Sequence, residues 1–145
     1  MAVTPYSTIY NAFLNKITDT DFLLLSDNNR KALLLSYLNY ACGEFSDVCT
    51  KDLNNRDDDG EIFNMELSLA EIDIITDGML VAWITPKYLF NENMHNVLNT
   101  KDFNMYSPAN LLKEIRETYS NVKQTFERKM IKYSYLNSNF EDETS

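Results

Sequence analysis

The stretch LAEIDIITDGMLVAWI (Leu69–Ile84) is apolar around most of its circumference from Met79 onward, the pattern of a helix buried at the centre of a bundle. Its start is marked by Ser68 and Glu71, three residues apart, which form a capping box. Gly78 leaves room for a neighbouring helix to approach closely, and Trp83 is the expected anchor of the core. Pro86 predicts an end or a kink near Ile84.

On the N-terminal side, Thr4 followed by Pro5 reads as a helix start, with Thr4 as cap and Ile9, Tyr10, Phe13, Leu14 and Ile17 at helical spacing. A second helix begins near Asp27, where Leu34, Leu38, Ala41, Phe45 and Val48 recur 4, 3, 4 and 3 residues apart and define one core face. On the C-terminal side, NENMHNVLNTKDFNMY (residues 91–106) has no sustained period. It predicts a loop with at most one helical turn, and the lone histidine, His95, is a loop residue in this reading. Ser107 and Pro108 then start the longest helix, with Leu112, Ile115, Tyr119, Val122, Phe126, Met130 and Tyr133 along one stripe. The fold expected is all-α: about four main helices in a small bundle, with a long C-terminal amphipathic helix and an acidic loop. A single domain spans 1–136, followed by a flexible acidic tail over 137–145.

Composition narrows the function. The 145-residue chain has a formal net charge of -9. Residues 1–77 hold five Lys/Arg against fourteen Asp/Glu, whereas residues 78–145 hold eight of each. Strong nucleic-acid binding requires a positive patch that releases counterions, and the acidic half opposes it. The last helix is locally basic, with Lys113, Arg116, Lys123, Arg128, Lys129 and Lys132 set against Glu114, Glu117 and Glu127. No apolar run is long enough for a membrane span and no signal peptide is visible, so the expectation is a soluble protein, intracellular where made. Cys42 and Cys49 lie seven apart outside any CxxC pair and read as reduced core residues.

One stretch admits a metal. NRDDDGEIFNME (Asn55–Glu66) follows the twelve-residue EF-hand spacing, with Asn55, Asp57 and Asp59 at places one, three and five. Gly60 stands at place six, the Glu61 carbonyl at seven and Glu66 at twelve. Against it, place one is Asn, the capping box starts the next helix after the loop, and a second EF-hand is missing. A solvated acidic connector is the preferred reading and no metal is favoured. The glycines at 43, 60 and 78 are isolated, His95 has no catalytic partner nearby in sequence, and no nucleophile motif occurs, so neither enzyme activity nor a cofactor is expected.

The segments DNNRKALLLSYLNYACGEF, AEIDIITDGMLVAWITPK and NVLNTKDFNMYSPANLLKEIRETYSNVKQTFERKMIKYSY together resemble head-to-tail connector proteins of tailed bacteriophages, the adaptor or head-completion class. The likeness covers roughly residues 20–136 and includes no catalytic signature. It implies a structural virion subunit that forms a ring, commonly dodecameric, beneath the portal protein and lines the channel through which DNA passes without sequence-specific binding. The implied partners are the portal, a tail or stopper protein, and further copies of the chain. The implied location is the virion neck, after assembly in the host cytoplasm. Carried onto this sequence, Lys129, Met130, Lys132, Tyr133, Tyr135, Leu136 and Phe140 would face the portal. Asn93, Met94, Phe103 and Met105, in the 92–107 loop, would meet neighbours or the tail. The alternative is a small acidic calcium-binding interaction module using Asn55, Asp57, Asp59, Glu61 and Glu66.

Overall fold

The structure, a computed structural model, describes residues 2–17, 22, 24–97 and 109–144. Helix α1 (Tyr6–Leu14) is followed by α2 (Asp27–Phe45), α3 (Leu69–Val97) and α4 (Ala109–Thr144), and α3 packs against all three others. The protein is a small helical bundle carrying one minor sheet. Periodicity built the core as expected: Leu34, Leu38, Ala41 and Phe45 from α2 meet Ile9 and Phe13 from α1 and Ile74, Ile75 and Met79 from α3. Phe126 of α4 closes this cluster from the outer side.

The capping box forms. Ser68 N–H donates to Glu71 Oε1 at 2.8 Å, and Glu71 N–H donates to Ser68 Oγ at 3.1 Å, so two free amides at the start of α3 are satisfied. Gly78 makes the close approach possible: a Cβ there would lie 2.6 Å from the Ala41 Cβ and 2.9 Å from the Phe126 Cζ. Both cysteines are free, with Cys42 buried and Cys49 half-buried.

Three expectations are corrected. Thr4 does not cap α1. Thr4 and Pro5 form strand β1, and the Thr4 hydroxyl donates to the Met65 carbonyl at 3.0 Å and accepts from Leu67 N–H at 2.9 Å. Pro5 is the N-cap, with no side-chain hydrogen bond. Secondly, α3 passes through Pro86 to Val97, so residues 92–97 are helical backbone and not loop. Pro86 is exposed, while Ile84 is buried before it and Tyr88 stacks on Tyr119 after it. Packing on both sides offsets the roughly 3 kcal/mol that an interior proline costs. His95 therefore sits on a helix. Thirdly, Trp83 is only half-buried, packed at the margin of the core with Lys87 Nζ 5.4 Å from its ring. The helical backbone of α4 runs on through 137–144.

The acidic stretch, expected as a solvated connector, is exposed over 57–61 and contains a short hairpin. Arg56–Asp57 (β2) and Ile62–Phe63 (β3) pair antiparallel, and β3 pairs antiparallel with β1, in the order β1-β3-β2. Phe63 is fully buried and meets Tyr6 edge-on at 5.2 Å. At the turn it is Glu61, with φ 55, that takes the left-handed conformation, and no glycine among the described residues has positive φ. The Asp57 carboxylate accepts from Asp59 N–H at 3.0 Å, and Asp58 accepts the Tyr6 hydroxyl proton at 2.6 Å, which ties the hairpin to α1. Glu66 lies past β3 and is exposed.

Candidate interaction face

The residues assigned to partner contact divide between two sides of α4. Lys129, Met130 and Tyr133 turn inward. Lys129 Nζ lies 2.7 Å from Asp73 Oδ2 and 2.6 Å from Asp77 Oδ2, the second contact an ion pair without hydrogen-bond alignment. Lys16 of the α1 end joins the same pair of aspartates at 3.5 and 3.2 Å. Burial opposes the Lys129 charge, but its two aspartates outweigh that and hold its pKa above the ordinary lysine value. Asp73 moves the opposite way: burial pushes it up, Lys129 and Lys16 pull it down, and the net direction is downward.

Tyr133 is the second inward anchor. Its hydroxyl donates to Glu71 Oε2 at 2.8 Å and receives Thr50 N–H at 3.1 Å, with the Thr50 hydroxyl 2.9 Å away. Its ring meets Phe45 edge-on at 5.0 Å. Burial pushes the phenol up to about 12; the Thr50 hydrogen bonds oppose this and the bond to Glu71 adds to it. Glu71 is itself buried and also takes Lys51 Nζ at 2.6 Å. Desolvation would raise its pKa, yet the donors from Lys51, Ser68 and Tyr133 win and keep it below the usual carboxylate value. The capping glutamate of α3 is thus also the point where the C-terminal helix is fastened.

Outward, the same stretch of α4 exposes apolar surface. Ile131 is 70% exposed, Tyr135 64% and Leu136 56%, and Lys132 is exposed among them. Two grooves flank them. A groove of about 640 Å³ runs between the end of α2 and α4 and is lined by Glu44, Asp47 and Glu127 together with Val48, Ile131 and Tyr135. A groove of about 460 Å³ on the other flank is lined by Lys129, Lys132 and Leu136 from α4, with Asp73 and Ile74 from α3. Ile131, Glu44 and Asp47 were not singled out in the sequence. Ile131 was legible, since it stands between Glu127 and Tyr135 at i and i+4 spacing on the side opposite the core stripe.

The other candidates contribute less. The backbone at Asn93, Met94 and Phe140 is helical, with their side chains outside the described part, and Phe103 and Met105 lie outside the described residues. Among the described residues no group of three or more His, Cys, Asp or Glu side chains is arranged to hold a metal ion, and none of the helices is long and apolar enough to cross a membrane. No family model, curated protein or solved structure matches the chain.

Proposed function

We propose that this chain is a structural subunit of the phage head-to-tail connector class, an adaptor that forms a ring between portal and tail around the passing DNA. The observation that carries the reading is the outer side of α4. Ile131, Tyr135 and Leu136 are large apolar side chains left in water on a helix that the bundle holds rigidly through Tyr133 and Lys129. Isolated exposed apolar residues are ordinary, but three within six positions of one anchored helix form a patch suited to a partner. At 36 residues, α4 is about 54 Å long at 1.5 Å per residue, long enough to bridge successive layers of an assembly. The partner-facing surface, toward the portal or further copies of the chain, moves accordingly from the inward residues to Ile131, Lys132, Tyr135 and Leu136.

The direct test is immunogold electron microscopy of purified virions with antibody to this chain. Label confined to the neck supports the proposal, and label on tail fibres or the capsid shell, or none at all, refutes it.

A further inference from the structure

Two adjacent stripes on the outer side of α4 carry opposite charge. Glu127, Ile131 and Tyr135 recur every fourth residue, and so do Arg128, Lys132 and Leu136 one position later. The first stripe borders the groove that also contains Glu44 and Asp47. None of these three carboxylates has an ion pair among the described residues, and neither does Lys132. Among the described residues Arg128 donates to the Thr125 hydroxyl, at 3.4 Å, and forms no ion pair.

The position of the acids adds an energetic argument. Glu44 lies in the last turn of α2 and Asp47 two residues beyond its end, and that last turn contains no basic residue. A helix C-terminus already presents the equivalent of about half a negative charge, so carboxylates there are unfavourable and a cation is favoured. Among the described residues no cation forms an ion pair with these acids; Lys123, four positions before Glu127, lies over the Tyr119 ring. The cationic stripe that would suit the acids faces solvent on α4, in the same charge-and-apolar format, and cannot fold back onto its own groove from the neighbouring stripe of one rigid helix.

We infer that copies of this chain dock on one another, with Arg128, Lys132 and Leu136 of one copy seated in the Glu44, Asp47 and Glu127 groove of the next. Leu136 lies against the apolar floor while the two cations meet the acids. Mutual docking of two copies gives a closed pair, and successive docking gives a ring or a filament, according to the rotation between copies. The inference deepens the connector reading and rests on it only for the number of copies; the contact itself needs neither heads nor DNA.

The experiment is sedimentation velocity of the purified chain over a concentration series at low and high salt, with circular dichroism to confirm folding of every variant. The unaltered chain should associate, and less so in high salt, because exposed charge pairs are screened. Reversing the acid side (Glu44→Lys with Asp47→Lys) or the cationic side (Arg128→Glu with Lys132→Glu) should each weaken association by about tenfold or more, since like charges then face each other. Combining all four substitutions in one chain should restore it. A monomer throughout the series, single-sided reversals that change nothing, or a fourfold variant that fails to recover would each overturn the contact. Association that stops at two copies with recovery intact upholds the contact and refutes the ring, which separates the two claims.

Discussion

The Tyr133 hydroxyl donates to Glu71 Oε2 across 62 positions of sequence, so the capping glutamate of one helix also fastens the far half of another. Replacing Tyr133 by Phe removes that donor and leaves Thr50 N–H and one carboxylate oxygen without their partner. The loss should be about 1 to 3 kcal/mol, the usual cost of stranding a partly buried polar group. Urea unfolding checks it, and an unchanged midpoint would mean that the hydroxyl is replaced by water without loss.

Stability should fall on the acid side through two carboxylates. Glu71 and Asp73 both have folded pKa values below their ordinary values of 4.5 and 3.8. A depressed folded pKa means that the stabilisation is complete above the unfolded value and disappears as pH falls through the folded one. Lys129 has the opposite sign: its raised pKa gives stabilisation that is complete below 10.5 and is lost as pH rises through the folded value. Urea midpoints measured from pH 2 upward should therefore decline below about pH 4, and Glu71→Gln should flatten that decline while lowering stability at neutral pH.

Gly78→Ala should destabilise the bundle although alanine is the better helix former. The gain in helix propensity is about 1 kcal/mol. The new methyl would lie 2.6 Å from the Ala41 Cβ and 3.0 Å from its Cα, backbone that cannot swing aside as a long side chain could. Overpacking typically costs about 1 to 3 kcal/mol, so a net loss of up to about 2 kcal/mol is expected. A rise in thermal midpoint would show that α2 and α3 separate easily.

Trp83→Ala should cost less than a central aromatic would. The ring is half-buried and borders a cleft of about 230 Å³ with Phe22, Leu33 and Tyr37. Truncation of a fully buried Trp costs about 3 to 5 kcal/mol; here about 1 to 3 is expected, read from the denaturant midpoint.

How much of this was legible follows from the range of each interaction. The α2 stripe, the Ser68–Glu71 box and the close approach at Gly78 are written in local spacing, and each formed as read. Thr4 was misread because its partners, Met65 and Leu67, are more than 60 residues away, and no local rule distinguishes a capping hydroxyl from one that staples a strand. The strand pairing of the acidic stretch was not legible for the same reason. Phe63 and Ile62 sit inside the calcium spacing but pair with Thr4 and Pro5, respectively, and only the fold brings those together. At Pro86 the local signal was correct in sign and too small, since burial of Ile84 and stacking of Tyr88 outweigh it. On α4 the core stripe is legible in the sequence, though not how far the helix runs beyond it. Nor does the sequence say where the bundle stops covering the stripe, because that depends on Glu71 and Asp73 meeting Tyr133 and Lys129.

The outer face of α4 separates folding from attachment. Ile131, Tyr135 and Leu136 are mostly in water, so converting all three to Ser removes little buried surface and should alter stability by only about 0.5 kcal/mol per site or less. Attachment should be lost, because an interface draws most of its energy from a few desolvated aromatic and aliphatic anchors, and these are the large apolar side chains that the bundle leaves uncovered on this helix. Met130→Ser should show the reverse, weakening the fold through a side chain packed on the core. The measurement pairs circular dichroism melting with co-sedimentation on portal-bearing heads. A triple variant that melts normally and still co-sediments would remove this face from the docking surface. One that melts early would show that these side chains belong to the fold.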